Sequence, residues 1–278
     1  MNFPWSTPHQ SGLLTTEDQA VIPYLIAGRG QNIVIWLPGL SDGSMLATDD
    51  PAHLASRFHQ RAKSCMTITI SRRHPLPQGF TFEQQAQDTI WACEQLGVKK
   101  AVWECTSSGG AVGQIIAVQR PDLVRGLVLS SSLHRIHEHT HQVLHDWLEL
   151  ARIGSWQDYA LSLVYYTYRP QTAAHFRNRR PSWLQAAGKG TYPERLQSML
   201  SGLLELDHRS LLPDIEVPAL VLGGQADRVV PAEIQREMAD LITSCRIKLF
   251  PEFGHGNDLE NPAYEEEVQH FLHRLGPA

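Results

Sequence analysis

The sequence predicts an α/β fold with a mostly parallel central sheet, and three observations carry that expectation. Short β-rich runs alternate with amphipathic stretches in the first part of the chain, the alternation stops between Leu133 and Leu212, and it resumes after Pro213. The strands read as Ala20 to Ala27, Asn32 to Leu37, Cys65 to Ile70, Ala101 to Cys105 and Gly126 to Leu129. Between the later ones, Phe82 to Leu96 carries Ala86, Ile90, Cys93 and Leu96 near helical spacing, and Ser108 to Gln119 carries Ala111, Ile115, Ile116 and Val118. Strands separated by helices favour parallel pairing with both sheet faces covered. From Leu133 onward only helix signals appear, including the capping-box spacings Ser155 to Asp158 and Thr191 to Glu194. After Pro213 come a strand at Ala219 to Leu222, a helix at Ala232 to Ile242, a strand at Arg246 to Phe250 and a helix at Pro262 to Leu275. The expected organisation is a core of residues 1–132 and 213–278, interrupted by a helical lid at 133–212.

Composition narrows the function classes. Among 278 residues, 24 Lys and Arg face 29 Asp and Glu, a formal net charge of −5, which disfavours nucleic-acid and anionic-membrane partners. With 42% apolar and 19% charged residues the chain has enough apolar surface to bury a core. No window is apolar enough for a membrane helix, and the opening MNFPWSTPHQ lacks the regions of a signal peptide, so a cytoplasmic protein is expected. Cys65, Cys93, Cys105 and Cys245 show no compact ligand spacing and sit in apolar stretches, as buried reduced thiols do. The basic triplet Arg177, Arg179 and Arg180 reads as solvated surface.

Four segments point to chemistry. Cys105-x-Ser107-x-Gly109 runs from strand to helix through small residues, a spacing that suits a tight turn with Ser107 pushed out above the sheet and the Ser108 N–H at a helix start. Asn32 to Leu40 is a buried strand ending in Pro38-Gly39, with the Leu40 N–H a second candidate donor to a developing oxyanion. The strand from Ala219 delivers Asp227 to a loop before a proline-started helix, and the next strand ends in Gly254-His255-Gly256. Each segment alone has an ordinary structural explanation: a Ser-Gly turn, a strand end, a helix cap, a loop histidine. Their joint order of Ser, Asp and His at strand ends is one known arrangement of nucleophile, orienting acid and base.

On these residues the chain resembles the α/β-hydrolase fold family over nearly its whole length. The segments Cys105 to Gln114, Arg120 to Leu129 and Leu206 to Arg209 are similar to those of cytosolic lactonase and esterase members. Two departures stand out: Pro38 occupies the position of the family's histidine before the oxyanion turn, and Cys105 that of the elbow's first glycine. The resemblance implies a serine hydrolase of small carboxylic esters or lactones, with Ser107 as nucleophile, His255 as base, Asp227 orienting it, and no metal or organic cofactor. It leaves open a C–C bond hydrolase, an acyltransferase or a perhydrolase on the same triad, and a ligand receptor of the same fold. Trp147, Trp156, Tyr165 and Trp183 are candidate walls of the substrate pocket, and Cys105 is expected to face the interior.

The histidines 134, 137, 139, 141 and 145 invite a zinc reading, and His141 and His145 share a helix face. The Asp that a metallo-β-lactamase pattern needs is Thr140, so a polar helix entry is expected. The sequence sets no oligomeric state.

Overall fold

The computed structural model describes residues 7–43, 46–178 and 192–276. Its sheet contains eight strands: β1 (His9–Thr15), β2 (Val21–Gly28), β3 (Asn32–Leu37), β4 (Cys65–Ile70), β5 (Ala101–Thr106), β6 (Val124–Ser130), β7 (Ala219–Gly224) and β8 (Cys245–Phe250). They lie in the order β1-β2-β4-β3-β5-β6-β7-β8. The pairs β1 with β2 and β2 with β4 are antiparallel, and every pair from β4 to β8 is parallel. β1 was not foreseen: its residues are mostly exposed, so this edge strand lacks the apolar run that marks the inner ones.

Alternation along the inner strands sorts side chains to two faces. Ile35, Leu37, Trp103, Cys105, Leu127 and Leu129 pack against α2 (Phe82–Gln95), α3 (Gly109–Gln119) and α8 (Ala232–Leu241). Val34, Val102, Val128 and Leu222 face α9 (Pro262–Arg274) on the other side, while Trp36 meets α1 (Pro51–Ser56). Helix α2 begins with a complete capping box, Thr81 receiving the Gln84 N–H and Gln84 receiving the Thr81 N–H.

Between β6 and β7 stand α4 (Glu138–Arg152), α5 (Trp156–Thr167), α6 (Pro170–Asn178) and α7 (Pro193–Leu204). On α4, Val143, Leu144, Trp147, Leu148 and Ala151 recur at three- and four-residue spacing and meet Leu196, Met199, Leu200 and Leu203 of α7. The same cluster takes in Leu40, Ala111, Val229 and Val230 of the body, so among the described residues the insertion shares its core with the body. The capping box expected at Ser155 does not form. The Ser155 hydroxyl donates to the Asp158 carboxylate at 2.6 Å instead, and no side chain bonds the cap backbone. Thr191, the other expected cap, lies outside the described residues, as do Trp183, Arg179, Arg180 and the Arg177 side chain.

The sheet reverses its winding between β3 and β5. β3 is followed by β4 on one side, whereas β5 and all later strands add on the other. A crevice opens at such a switch point outside the carboxyl ends of the strands. Leu37 and Cys105 are register partners there, which places the Pro38-Gly39-Leu40 turn beside the Ser107 turn.

Candidate active site

Ser107 has φ of 51°, a left-handed backbone conformation unusual for a residue with a side chain. The turn is held from both sides, since the Ser107 N–H donates to the Ser130 carbonyl at 2.8 Å and the Ser132 hydroxyl donates to the Ser107 carbonyl at 2.8 Å. The tightness expected of this turn is real: a Cβ on Gly109 would stand 2.4 Å from the Leu37 carbonyl oxygen. Cys105 occupies the position of the family's glycine because room for it exists on α3. A Cβ on Gly113 would fall 2.5 Å from the Cys105 sulfur, so the glycine on the helix leaves the space that the Cys105 side chain fills. Cys105 faces the core, and burial pushes its thiol well above the usual range, as expected for an inert side chain.

The strand ends bring the three remote residues into one chain of contacts. His255 Nε2 lies 3.1 Å from Ser107 Oγ, and His255 Nδ1 lies 2.9 Å from Asp227 Oδ2. The other Asp227 oxygen accepts the N–H groups of Val229 at 2.8 Å and Val230 at 2.9 Å, which fixes the carboxylate before α8 begins. Gln235, buried on α8, donates to the Val230 carbonyl at 3.0 Å and to Asp227 Oδ2 at 3.4 Å. Burial works against a charged imidazole, but the Asp227 carboxylate outweighs it through its charge and its hydrogen bond, with help from Asp258. The His255 pKa is therefore held above the ordinary 6.5. Leu40 opens a 3-10 turn and Ser108 precedes α3, so both N–H groups belong to helix starts and have no intrahelical acceptor.

Ser107 and His255 line a cavity of about 640 Å³. Leu133, Leu144, Trp147, Tyr159, Leu163 and Leu203 form an apolar wall. Of the aromatics proposed for this wall, Trp147 lies in the lining and is held by its indole N–H to the Ser162 hydroxyl at 3.0 Å. Trp156 packs edge-on against Tyr159, behind the wall, and Tyr165 is 54% exposed with the Arg228 guanidinium over its ring. At the opposite side the lining turns polar: Arg61 pairs with Glu104 at 2.6 Å, and the Tyr264 hydroxyl donates to Glu104 at 2.9 Å. The sequence reading missed this cluster, because its members come from a loop, a strand and a helix with no common spacing.

The histidine-rich stretch is divided among separate partners. His134 meets Glu237 at 3.3 Å, His137 meets Glu233 at 2.8 Å, and His139 Nε2 lies 2.7 Å from the Arg228 carbonyl. His141 and His145 stack with ring centroids 6.1 Å apart. Among the described residues no group of three His, Cys, Asp or Glu side chains is arranged to hold a metal. Cys245 departs from expectation, being only half-buried on the edge strand β8.

Comparison with known proteins identifies the family and the fold. The family described as "Serine aminopeptidase, S33" matches residues 82–261. Among curated proteins, RutD of Stutzerimonas stutzeri (strain A1501), provisionally named a carbamate hydrolase, is 23% identical over 72% of this chain and 77% of its own length. A 2-hydroxy-6-oxononadienedioate/2-hydroxy-6-oxononatrienedioate hydrolase of Pseudomonas sp is 23% identical over 89% of this chain and 90% of its own. The crystal structure of the enol-lactonase from Burkholderia xenovorans LB400 superposes with a TM-score of 0.76 at 19% identity, covering 94% of this chain and 100% of the other. The chain belongs to the α/β-hydrolase family, in the group described as "Serine aminopeptidase, S33".

Proposed function

We propose that the protein is a serine hydrolase of small carboxylic esters or lactones that works through an acyl-enzyme on Ser107. The observation that carries the reading is the contact chain from Ser107 through His255 to Asp227, at 3.1 and 2.9 Å, on the lining of a largely apolar cavity. His255 Nε2 takes the hydroxyl proton as Ser107 Oγ bonds to the substrate carbonyl carbon, and the carbonyl electron pair moves onto oxygen. That oxygen is received by the Leu40 and Ser108 N–H groups. Collapse breaks the bond to the leaving oxygen, which takes the proton from His255. Water then repeats the sequence on the acyl group and returns the proton to Ser107. Asp227 stabilises the imidazolium formed in each half. In this reading residues 133–212 are a lid whose inner wall selects substrate through Trp147, and the free cysteines suit a reducing cytosol.

A fluorophosphonate probe tests the reading directly. Wild type should be labelled and should turn over short p-nitrophenyl esters or lactones, while Ser107→Ala should lose both the label and about 10⁴-fold or more of kcat. Absence of labelling and turnover in the wild type, or full activity in Ser107→Ala, would overturn it. Because relatives are named for carbamate and dienedioate hydrolysis, the panel includes both substrate types, and faster turnover of either would move the assignment to that reaction on the same triad.

A further inference from the structure

Arg72 stands at the end of β4, only 4% exposed, and its guanidinium reaches across to both oxyanion-hole turns. Nη1 donates to the carbonyls of Pro38 at 3.1 Å and Gly39 at 3.2 Å, and Nη2 donates to the Ser108 hydroxyl at 3.2 Å. The Gly39 carbonyl and the Leu40 N–H belong to one planar trans peptide and point in opposite directions. Gripping the carbonyl from behind therefore aims the N–H forward, and a charged donor on that carbonyl further polarises the N–H. Arg72 is itself gripped by the insertion: Arg195 of α7, 2% exposed, donates through Nη2 to the Arg72 carbonyl at 2.8 Å and through Nη1 to the Arg73 carbonyl.

We infer that Arg72 is the positioning residue of the oxyanion hole and that Arg195 transmits the seating of the lid to it, so that the hole is fully formed only when α7 is docked. The inference rests on the serine-hydrolase reading but names residues outside the triad. It has a distinctive kinetic consequence, because an N–H that drifts from the oxyanion harms the transition state and not the ground state.

Lysine keeps the charge but cannot span two carbonyls and a hydroxyl at once. For Arg72→Lys we expect kcat to fall by about 10- to 100-fold with KM within about threefold. The affinity of a trifluoromethyl ketone inhibitor should weaken by the same factor as kcat/KM, and the acid limb of the pH profile should stay in place. Arg195→Lys should show the same signature more weakly, and the double variant should lose less than the product of the two single losses. Should Arg72→Lys fail to fold, Ser108→Ala, which removes only the hydroxyl end of the contact, should still cost kcat several-fold at unchanged KM. Inhibitor affinity and kcat within twofold of wild type in Arg72→Lys or Ser108→Ala, or losses in the double variant that multiply fully, would overturn the inference. A wild type without turnover or labelling would instead sink the hydrolase reading, so the two failures are distinguishable.

Discussion

The rim of the cavity and its inserted wall are held by different means. At the rim, Ser107 is fixed by backbone hydrogen bonds and a left-handed φ, and Asp227 by two N–H groups of its own loop, so the strand ends themselves set the geometry. The wall is held by side chains reaching between elements: Trp147 to Ser162, Thr140 to the Val229 carbonyl and Arg195 to the carbonyls of Arg72 and Arg73. Backbone-defined positions tolerate little displacement, whereas side-chain contacts can be rebuilt around a different volume. The difference teaches where each kind of change should be felt: reaction rate at the rim and at the one wall contact that reaches it, Arg195 on the Arg72 carbonyl, and substrate choice over the rest of the wall.

The largest effect expected of this contrast beyond the nucleophile itself is at Asp227. Asparagine keeps the size and can still accept from Val229 and Val230, but it no longer stabilises an imidazolium and can favour the wrong tautomer. Asp227→Asn should lower kcat by about 10²- to 10⁴-fold with little change in KM or in melting temperature. A loss under tenfold, measured with the best ester of the panel, would show that the contact of Asp227 with His255 is structural only.

The rim was legible in the sequence and the wall only in outline, for the same physical reason. Ser107, Asp227 and His255 each follow a strand at a turn of small residues or before a proline, so local spacing announces them. Arg72 and Gln235 act by reaching across elements, and nothing in the string of residues shows which carbonyl a buried guanidinium will meet. The fit of Cys105 against Gly113 is hidden likewise, since it depends on which face of α3 meets β5. The insertion is expected to be helical from cap spacings alone, and Trp156 and Tyr165 cannot be told there from Trp147, because such a signal marks where a helix starts but not which of its aromatics reaches the cavity.

Trp147 sharpens the contrast at intermediate size. Trp147→Phe removes the bond to Ser162 and part of the ring that faces the cavity, and should cost about 1–3 kcal/mol of stability. For an apolar ester, KM should rise by about 3- to 10-fold while kcat stays within about threefold of wild type. A fall in kcat as deep as that of Asp227→Asn would place Trp147 with the chemistry and dissolve the distinction between rim and wall.

The smallest expected effect is a displacement along the pH axis, and it separates activity from stability at one residue. The Asp227 carboxylate raises the His255 pKa above 6.5, so the acid limb of kcat/KM should have its midpoint above 6.5, where the neutral base is half lost. In Asp227→Asn the main raising charge is gone, leaving burial opposed only by the smaller influence of Asp258, so the residual activity should show its limb moved to lower pH. Stability runs the other way. A histidine whose pKa is raised on folding contributes stability that is full below the unfolded value near 6.5 and is lost as pH climbs through the folded value. The stability difference between wild type and His255→Gln, followed by denaturant titration, should therefore shrink as pH rises through the same window in which kcat/KM grows. A difference that widened with pH would mean that His255 is held neutral by its burial, and that Asp227 fixes the ring's position without stabilising its charge.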